Sequence, residues 1–266
     1  MMNWIKAIKA AHKLQDQMEF NQAASDGDID AVRTYLNEGR VDPTNQNHLA
    51  LKEAAYKGHN EVVGVLLRFA DDPKVTTRAL TLAAHAGHVQ CVEQLIPHSN
   101  PKANCSEALF MAIGNGHHEC VAALLPHSDN LDSALNFAAG NGKERCLEIL
   151  IGVANPMANE SQALRIAAER GRDACVAMLI PVSDPQADDN YAIAFAAQNG
   201  HLKCVELLLP HTQVENTSAI RAAIENGHTD VAEVIQEHLA QKQKATIHAE
   251  IGNDHDLPQQ RKARRM

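Results

Sequence analysis

Cysteine and histidine are the residue types here whose spacing could support chemistry. Cys91, Cys120, Cys146, Cys175 and Cys204 fall on one recurring register. His59, His88, His117, His201 and His228 fall on a second, and His98, His127 and His211 on a third. A row of thiols could bind metal or exchange disulfides, and a row of imidazoles could bind metal or move protons. Both readings fail on distance. Residues separated by a whole structural module sit on separate helices, and packed helices lie about 8 to 10 Å apart. A disulfide needs Cα atoms within about 7 Å, and a shared metal needs its ligands closer still. No Cys-x-x-Cys occurs, and His117 and His118, adjacent on a helix, cannot face one another. Gly-rich phosphate loops, His-Glu-x-x-His and a Ser/His/Asp arrangement are also missing from the sequence. The expectation is therefore a protein that is not an enzyme and carries no cofactor and no metal. Cys105, off the register, is the thiol expected to be exposed.

The elements behind these registers are set by glycine. Gly27, Gly58, Gly87, Gly116, Gly142, Gly171, Gly200 and Gly227 are separated by 31, 29, 29, 26, 29, 29 and 27 residues. A period in this range marks modules that stack because none can bury its apolar face alone. In residues 79–97, ALTLAAHAG places Leu80, Ala83, Ala84 and Gly87 on one helical face. HVQCVEQLI then gives a second stripe of Cys91, Val92, Leu95 and Ile96, which Pro97 ends. The unit reads helix, glycine turn, helix. Ala83 and Ala84 let the two helices approach closely.

The same lettering returns as EALFMAIGNGHHECVAALLP, SALNFAAGNGKERCLEILI, QALRIAAERGRDACVAMLIP, YAIAFAAQNGHLKCVELLLP and SAIRAAIENGHTDVAEVIQ. This AAxxGHxxxVxxLL pattern resembles the ankyrin repeat over residues 19–240. The departures are a period shorter by about one turn and Arg78-Ala-Leu-Thr81 where ankyrin units carry Thr-Pro-Leu-His. The shortening falls in links such as PHSNPKANCS and PVSDPQADDN. The resemblance implies an all-α, ankyrin-like helix-turn-helix solenoid of about eight repeats with β-hairpins shortened or absent, similar to bacterial, phage or effector-type ankyrin proteins. It also implies that the histidines after the turn glycines bond backbone between units. Each register cysteine stands where ankyrin repeats have Val, as Val62 and Val231 do here, so it reads as a small buried hydrophobe.

By the same resemblance, a protein partner binds the concave side, formed by the first helices and the links. Spacing places Arg78, Thr81 and His85 outward on one first helix. The equivalents are Lys52 and Tyr56; Glu107, Phe110 and Gly114; Ser133, Asn136 and Gly140; Gln162, Arg165 and Glu169; Tyr191, Ala194 and Gln198; and Ser218, Arg221 and Glu225. Because aromatic and Arg side chains anchor interfaces, the candidate partner-binding residues are Tyr56, His85, Phe110, Arg165, Tyr191 and Arg221. The competing roles are structural. Phe110 and Tyr191 could cover Gly114 and neighbouring small residues, and Arg165 with Glu169 and Arg221 with Glu225 could be simple i, i+4 ion pairs.

Aromatics make up only 3% of the 266 residues, and the net charge is −9. Residues 241–266 carry a net +3, which leaves −12 on the rest. An acidic body with few rings disfavours nucleic acid and suits a partner with a basic surface. No apolar run approaches the length needed to cross a membrane, and Lys6 and Lys9 interrupt the first apolar stretch. The expected compartment is the cytoplasm of the producing cell, or of a host if the chain is a delivered effector, and the expected free state is monomeric. Three segments are expected. Residues 1–18 form an amphipathic capping helix with Trp4, Ile5, Ile8, Ala11, Leu14 and Met18 on its apolar stripe. Residues 19–240 form the solenoid, and 241–266 form a helix extension with a disordered basic tail. The alternative function is a nucleic-acid- or membrane-associated factor using that tail and the first helix.

Overall fold

A computed structural model of the chain describes residues 2–212 and 217–263, and every regular element among them is helical. The helices come in eight pairs, one per predicted repeat: α1 (Met2–Asp26) with α2 (Ile29–Asn37), α3 (Asn45–Lys57) with α4 (Asn60–Leu66), α5 (Pro73–Ala86) with α6 (Val89–Leu95), α7 (Ala103–Asn115) with α8 (His118–Leu124), α9 (Leu131–Gly140) with α10 (Glu144–Ile151), α11 (Ala158–Glu169) with α12 (Asp173–Leu179), α13 (Ala187–Gln198) with α14 (Leu202–Leu208), and α15 (Thr217–Glu225) with α16 (Thr229–Ala263). The chain divides into two compact units. One holds residues up to 138 with 143–155, and the other holds 139–142 with 156 onward.

Within each unit the first helices stack on first helices and the second on second: α1 on α3, α3 on α5 and α5 on α7, then α11 on α13 and α13 on α15. The core between the two rows is made of Ala on the first helices and Leu, Val and Cys on the second. Ala83, Ala84, Cys91, Val92 and Leu95 are all fully buried, as are their equivalents in the other inner repeats, whereas the last repeat leaves Ile224, at the Ala84 position, 53% exposed. Small side chains bring the helices close, so a thin layer still reaches interior packing density.

The turn between paired helices locks one repeat to the next. Gly58 closes α3 in the left-handed region at φ +85°, and its Cα lies under the His88 ring of the following repeat, so a Cβ there would come within 2.5 Å of Nδ1. The same ring-on-glycine contact joins His59 to Gly27, His117 to Gly87, His201 to Gly171 and His228 to Gly200. At three of these steps the ring nitrogen also reaches a backbone oxygen one repeat back: His59 Nε2 to Ser25 O at 2.9 Å, His117 Nε2 to His85 O at 3.1 Å and His201 Nε2 to Glu169 O at 3.0 Å. Where His is replaced, Arg172 takes over, its Nε donating to Gly140 O at 3.3 Å while its stem covers Gly142.

The links hold a second ladder that the sequence did not suggest. The amide of the residue preceding the link proline or its equivalent donates to a side chain at the start of the previous first helix. Asn100 bonds Thr77 Oγ1 (2.8 Å), Asp129 bonds Ser106 Oγ (3.1 Å), Asn155 bonds Asp132 Oδ1 (2.8 Å) and Asp184 bonds Ser161 Oγ (2.8 Å). Asp42 bonds Gln17 Oε1 at 2.9 Å. Left-handed residues other than glycine recur where the links enter the first helices: Gln46 to His48, Asn104 and Ser106, Asn130, Asn159 to Ser161, and Asp188 to Asn190 all have φ between +49° and +68°. Each left-handed residue costs roughly 1 to 2 kcal/mol. The turns are closed by i to i−4 bonds such as Asn190 N to Gln186 O at 3.1 Å and Ser161 N to Met157 O at 3.3 Å.

The ends differ from expectation. The stripe on residues 4–18 does not cap the core: Trp4 is 69%, Leu14 61% and Met18 59% exposed, while Gln17, Phe20 and Ala24 of the same helix are buried. Polar groups of α1, α2 and the turn after α2 bond one another at this end. The Tyr35 hydroxyl donates to Glu19 at 2.6 Å, which holds that carboxyl below its usual range, and Arg40 pairs with Asp16 and lies 5.2 Å over the Tyr35 ring. Glu19 stands where inner repeats bury Ala79 or Ala108, so the outermost face is wetted by substitution at a core position. At the other end α16 continues helically to Ala263, through the stretch whose lost periodicity suggested disorder. The tip of the basic tail, with Arg264 and Arg265, lies outside the described residues.

Candidate interaction surface

In the first unit two predicted residues meet. The Tyr56 ring, 41% exposed, stacks on His85 with centroids 6.3 Å apart and planes 20° apart, and Lys57 Nζ lies 5.8 Å from the Tyr56 centroid. His85 Nδ1 is 3.2 Å from Asn115 Nδ2, which extends the row to the next repeat. Phe110 is half-buried and meets Phe137 edge to face at 5.4 Å. Arg78 pairs with Glu107 at 3.5 Å. Two positional expectations fail. Thr81 is buried, its hydroxyl turned back to Thr77 O, and Gly114 is covered by Phe137 and not by Phe110.

Phe137 belongs to a row the sequence reading missed. One residue after the predicted outward position stand Leu82, Met111 and Phe137, with Ile166 and Phe195 in the second unit. Met111 and Phe137 are 37% and 38% exposed, and Leu82, Ile166 and Phe195 are half-buried. The first helices α5, α7, α9, α11 and α13 each thus carry a large apolar side chain on the outward face, beside the buried small residues. The signal that could have found it is the recurrence of a large apolar residue before Ala-Ala in AAxxG, a place the core did not need.

In the second unit the predicted residues are tied together. Arg165 keeps only 17% of its side chain exposed. It pairs with Asp188, lies 4.0 Å from Glu160 and donates from Nη2 to Asn159 O at 3.1 Å. Its guanidinium carbon sits 4.9 Å over Tyr191, which stacks on Phe195 at 3.8 Å. Arg165 thereby joins the left-handed turns of two successive links. Among the described residues no ion pair links Arg165 to Glu169 or Arg221 to Glu225; Arg221 is exposed. Gly140, expected outward, is buried, and a Cβ there would lie 2.6 Å from Ile166.

The register cysteines are buried thiols, and burial pushes Cys91, Cys120 and Cys204 up to about 11. The Cys105 side chain lies outside the described residues. No group of His, Cys, Asp and Glu able to hold a metal ion occurs among the described residues. One concavity there is an open groove between second helices, lined by Glu93, Ile96, Pro97, Ala123 and His127. No described helix is long and apolar enough to cross a membrane.

A family model described as ankyrin repeats (3 copies) matches residues 71–132, 109–189 and 164–246, well over half of the chain. The chain belongs to the ankyrin repeat family. Among solved structures, the human ASB11 ankyrin repeat domain aligns at 21% identity and a TM-score of 0.58, over 70% of this chain and 96% of that one. The ankyrin repeat domain of Bcl-3, described as a unique member of the IkappaB protein family, aligns at 21% identity and a TM-score of 0.56, over 71% and 96%. At this identity the likeness shows the fold. A search of the curated proteins found no match. Ankyrin repeat domains generally mediate protein-protein interaction and are generally not catalysts.

Proposed function

We propose that this ankyrin repeat protein is a non-catalytic adaptor or inhibitor that grips another protein through its first-helix side, the concave side of ankyrin solenoids. The observation that carries the reading is the row of Tyr56, His85, Met111 and Phe137 in the first unit. It places exposed rings and a thioether on rigid helices in a chain with few aromatics. Aromatic anchors on a pre-ordered surface lose little entropy on binding, and Met adapts to irregular partner surfaces. Phe110 supports Phe137 from beside it. Arg221 is a peripheral contact, while Arg165 and Tyr191 contribute by holding the links that frame the surface. The acidic body suits a partner with a basic surface, and the cytoplasm is the compartment in which unpaired thiols persist.

A photo-crosslinking amino acid at Met111 or Phe137, introduced in native cells, tests this. Crosslinks to one protein partner from both positions, and none from Glu93 in the outer groove, are expected. Crosslinks from Glu93 alone would move the site to the second-helix side.

A further inference from the structure

The projecting part of α1 carries an apolar face turned away from everything it is attached to. Gln17, Phe20 and Ala24, at i, i+3 and i+7, are the side of this helix that is buried in the stack. Carried back at helical spacing, that side continues through Lys13, Lys9 and Lys6. Trp4, Ile8, Ala11, Leu14 and Met18 lie on the opposite side, and every one of them is exposed, Trp4 at 69%. Such a stripe of large side chains needs a cover.

We propose that this face pairs, antiparallel, with the same face of a second copy of the chain. Three features select that occupant. First, the residues along the stripe are self-complementary when reversed about Ala11: Trp4 meets Met18, Ile8 meets Leu14, and the two Ala11 residues meet in the middle, where a small side chain lets the backbones approach. Thioether sulfur against an indole edge is a favourable contact, and two-fold pairs of this kind use one patch twice. Second, the lysines lie on the far side, so two like-charged helices can approach without lysine facing lysine. Third, the stack is attached on the lysine side, so the two bodies point away from the seam. A bilayer surface fits less well, because an interfacial helix uses cations flanking its apolar face to reach lipid phosphates, and here they point away from it.

Trp4 is the only tryptophan of the chain, so the pairing reports itself. Light scattering on the full chain over a range of concentrations should show the mass rising from 28.9 kDa toward twice that value, with Trp4 emission shifting to the blue at the same midpoint. Ile8→Glu and Leu14→Glu should each raise the dimer dissociation constant at least tenfold, and Lys9→Glu should leave it within about twofold. Because these residues project from the stack, the melting temperature should not move, which separates loss of pairing from loss of fold. A monomer at every concentration, or a dimer indifferent to Ile8→Glu and Leu14→Glu, overturns the proposal. So does an emission shift produced by vesicles of phosphatidylcholine and phosphatidylserine while the protein stays monomeric, which would hand the face to a membrane.

Discussion

Phe137 and Phe195 occupy the same place in their repeats, just before the Ala pair of the first helix. In the first unit Phe137 remains 38% exposed, with Phe110 against its edge. In the second, Phe195 is half-buried under Tyr191, which is itself pinned beneath Arg165. One register position earlier, in other repeats, the contrast recurs: Phe110 meets the edge of the Phe137 ring, whereas Arg165 holds Asp188, Glu160 and the Asn159 carbonyl. Repeat positions that packing leaves open can serve recognition in one unit and consolidation in the other. Which role each takes is decided by the neighbour 23 to 30 residues away.

Substitutions at matched places should show this as unequal costs. Arg165→Ala removes a guanidinium hydrogen-bonded to a carbonyl and stacked on a ring, and should lower stability by about 2 kcal/mol in urea unfolding. A loss below about 0.5 kcal/mol would put Arg165 back among freely exposed contacts. Ser161→Ala deletes the acceptor of the Asp184 amide in a site where Ser161 is 1% exposed, and about 1 to 2 kcal/mol should go with it. Ser106→Ala in the first unit should cost the same, because the link ladder is common to both units. Tyr56→Ala with His85→Ala removes only surface stacking, and its cost should stay within about 0.5 kcal/mol.

The smallest effect concerns pH. Cys120 is raised from 9.0 to about 11, chiefly by burial, so the folded chain keeps its proton where the unfolded chain has lost it. A raised folded value means stability is intact below about pH 9 and declines as pH rises toward 11. Cys120→Val keeps the volume and removes the titration. It should change stability by less than about 1 kcal/mol at neutral pH and make the decline between pH 9 and 11 shallower. The register thiols should also resist a thiol reagent at pH 8 until the chain unfolds.

Much of this architecture was legible. Evenly spaced glycines gave eight helix pairs because each closes a first helix in the left-handed region, at five of them under the imidazole of the next repeat, and the Cys register read correctly as core because its spacing excluded chemistry. The face of the first helices was legible only to within one residue. Thr81 and Leu82 are neighbours, and a period of 3.6 over three turns does not decide between them until the adjacent repeat is in place. For Arg165, read as a partner-binding residue, the only structural role visible in the sequence was an i, i+4 pair with Glu169, because sequence shows only local neighbours, whereas its partner Asp188 comes from the next link. The left-handed turns were invisible because Gln, Asn, His, Asp, Glu and Ser hold them without glycine, closed by local i to i−4 bonds and, at Ser106, Ser161 and Asp188, by bonds to the neighbouring repeat. For α1 the amphipathic pattern was correct, but the pattern alone does not say which side faces the stack.

The account depends most on the open row of the first unit being the gripping surface. Once a partner has been identified by crosslinking, its affinity for Met111→Glu combined with Phe137→Glu should be measured by titration calorimetry on protein shown to keep its melting temperature. Binding at least 100-fold weaker than that of the unaltered chain is the predicted result. An unchanged dissociation constant would contradict it.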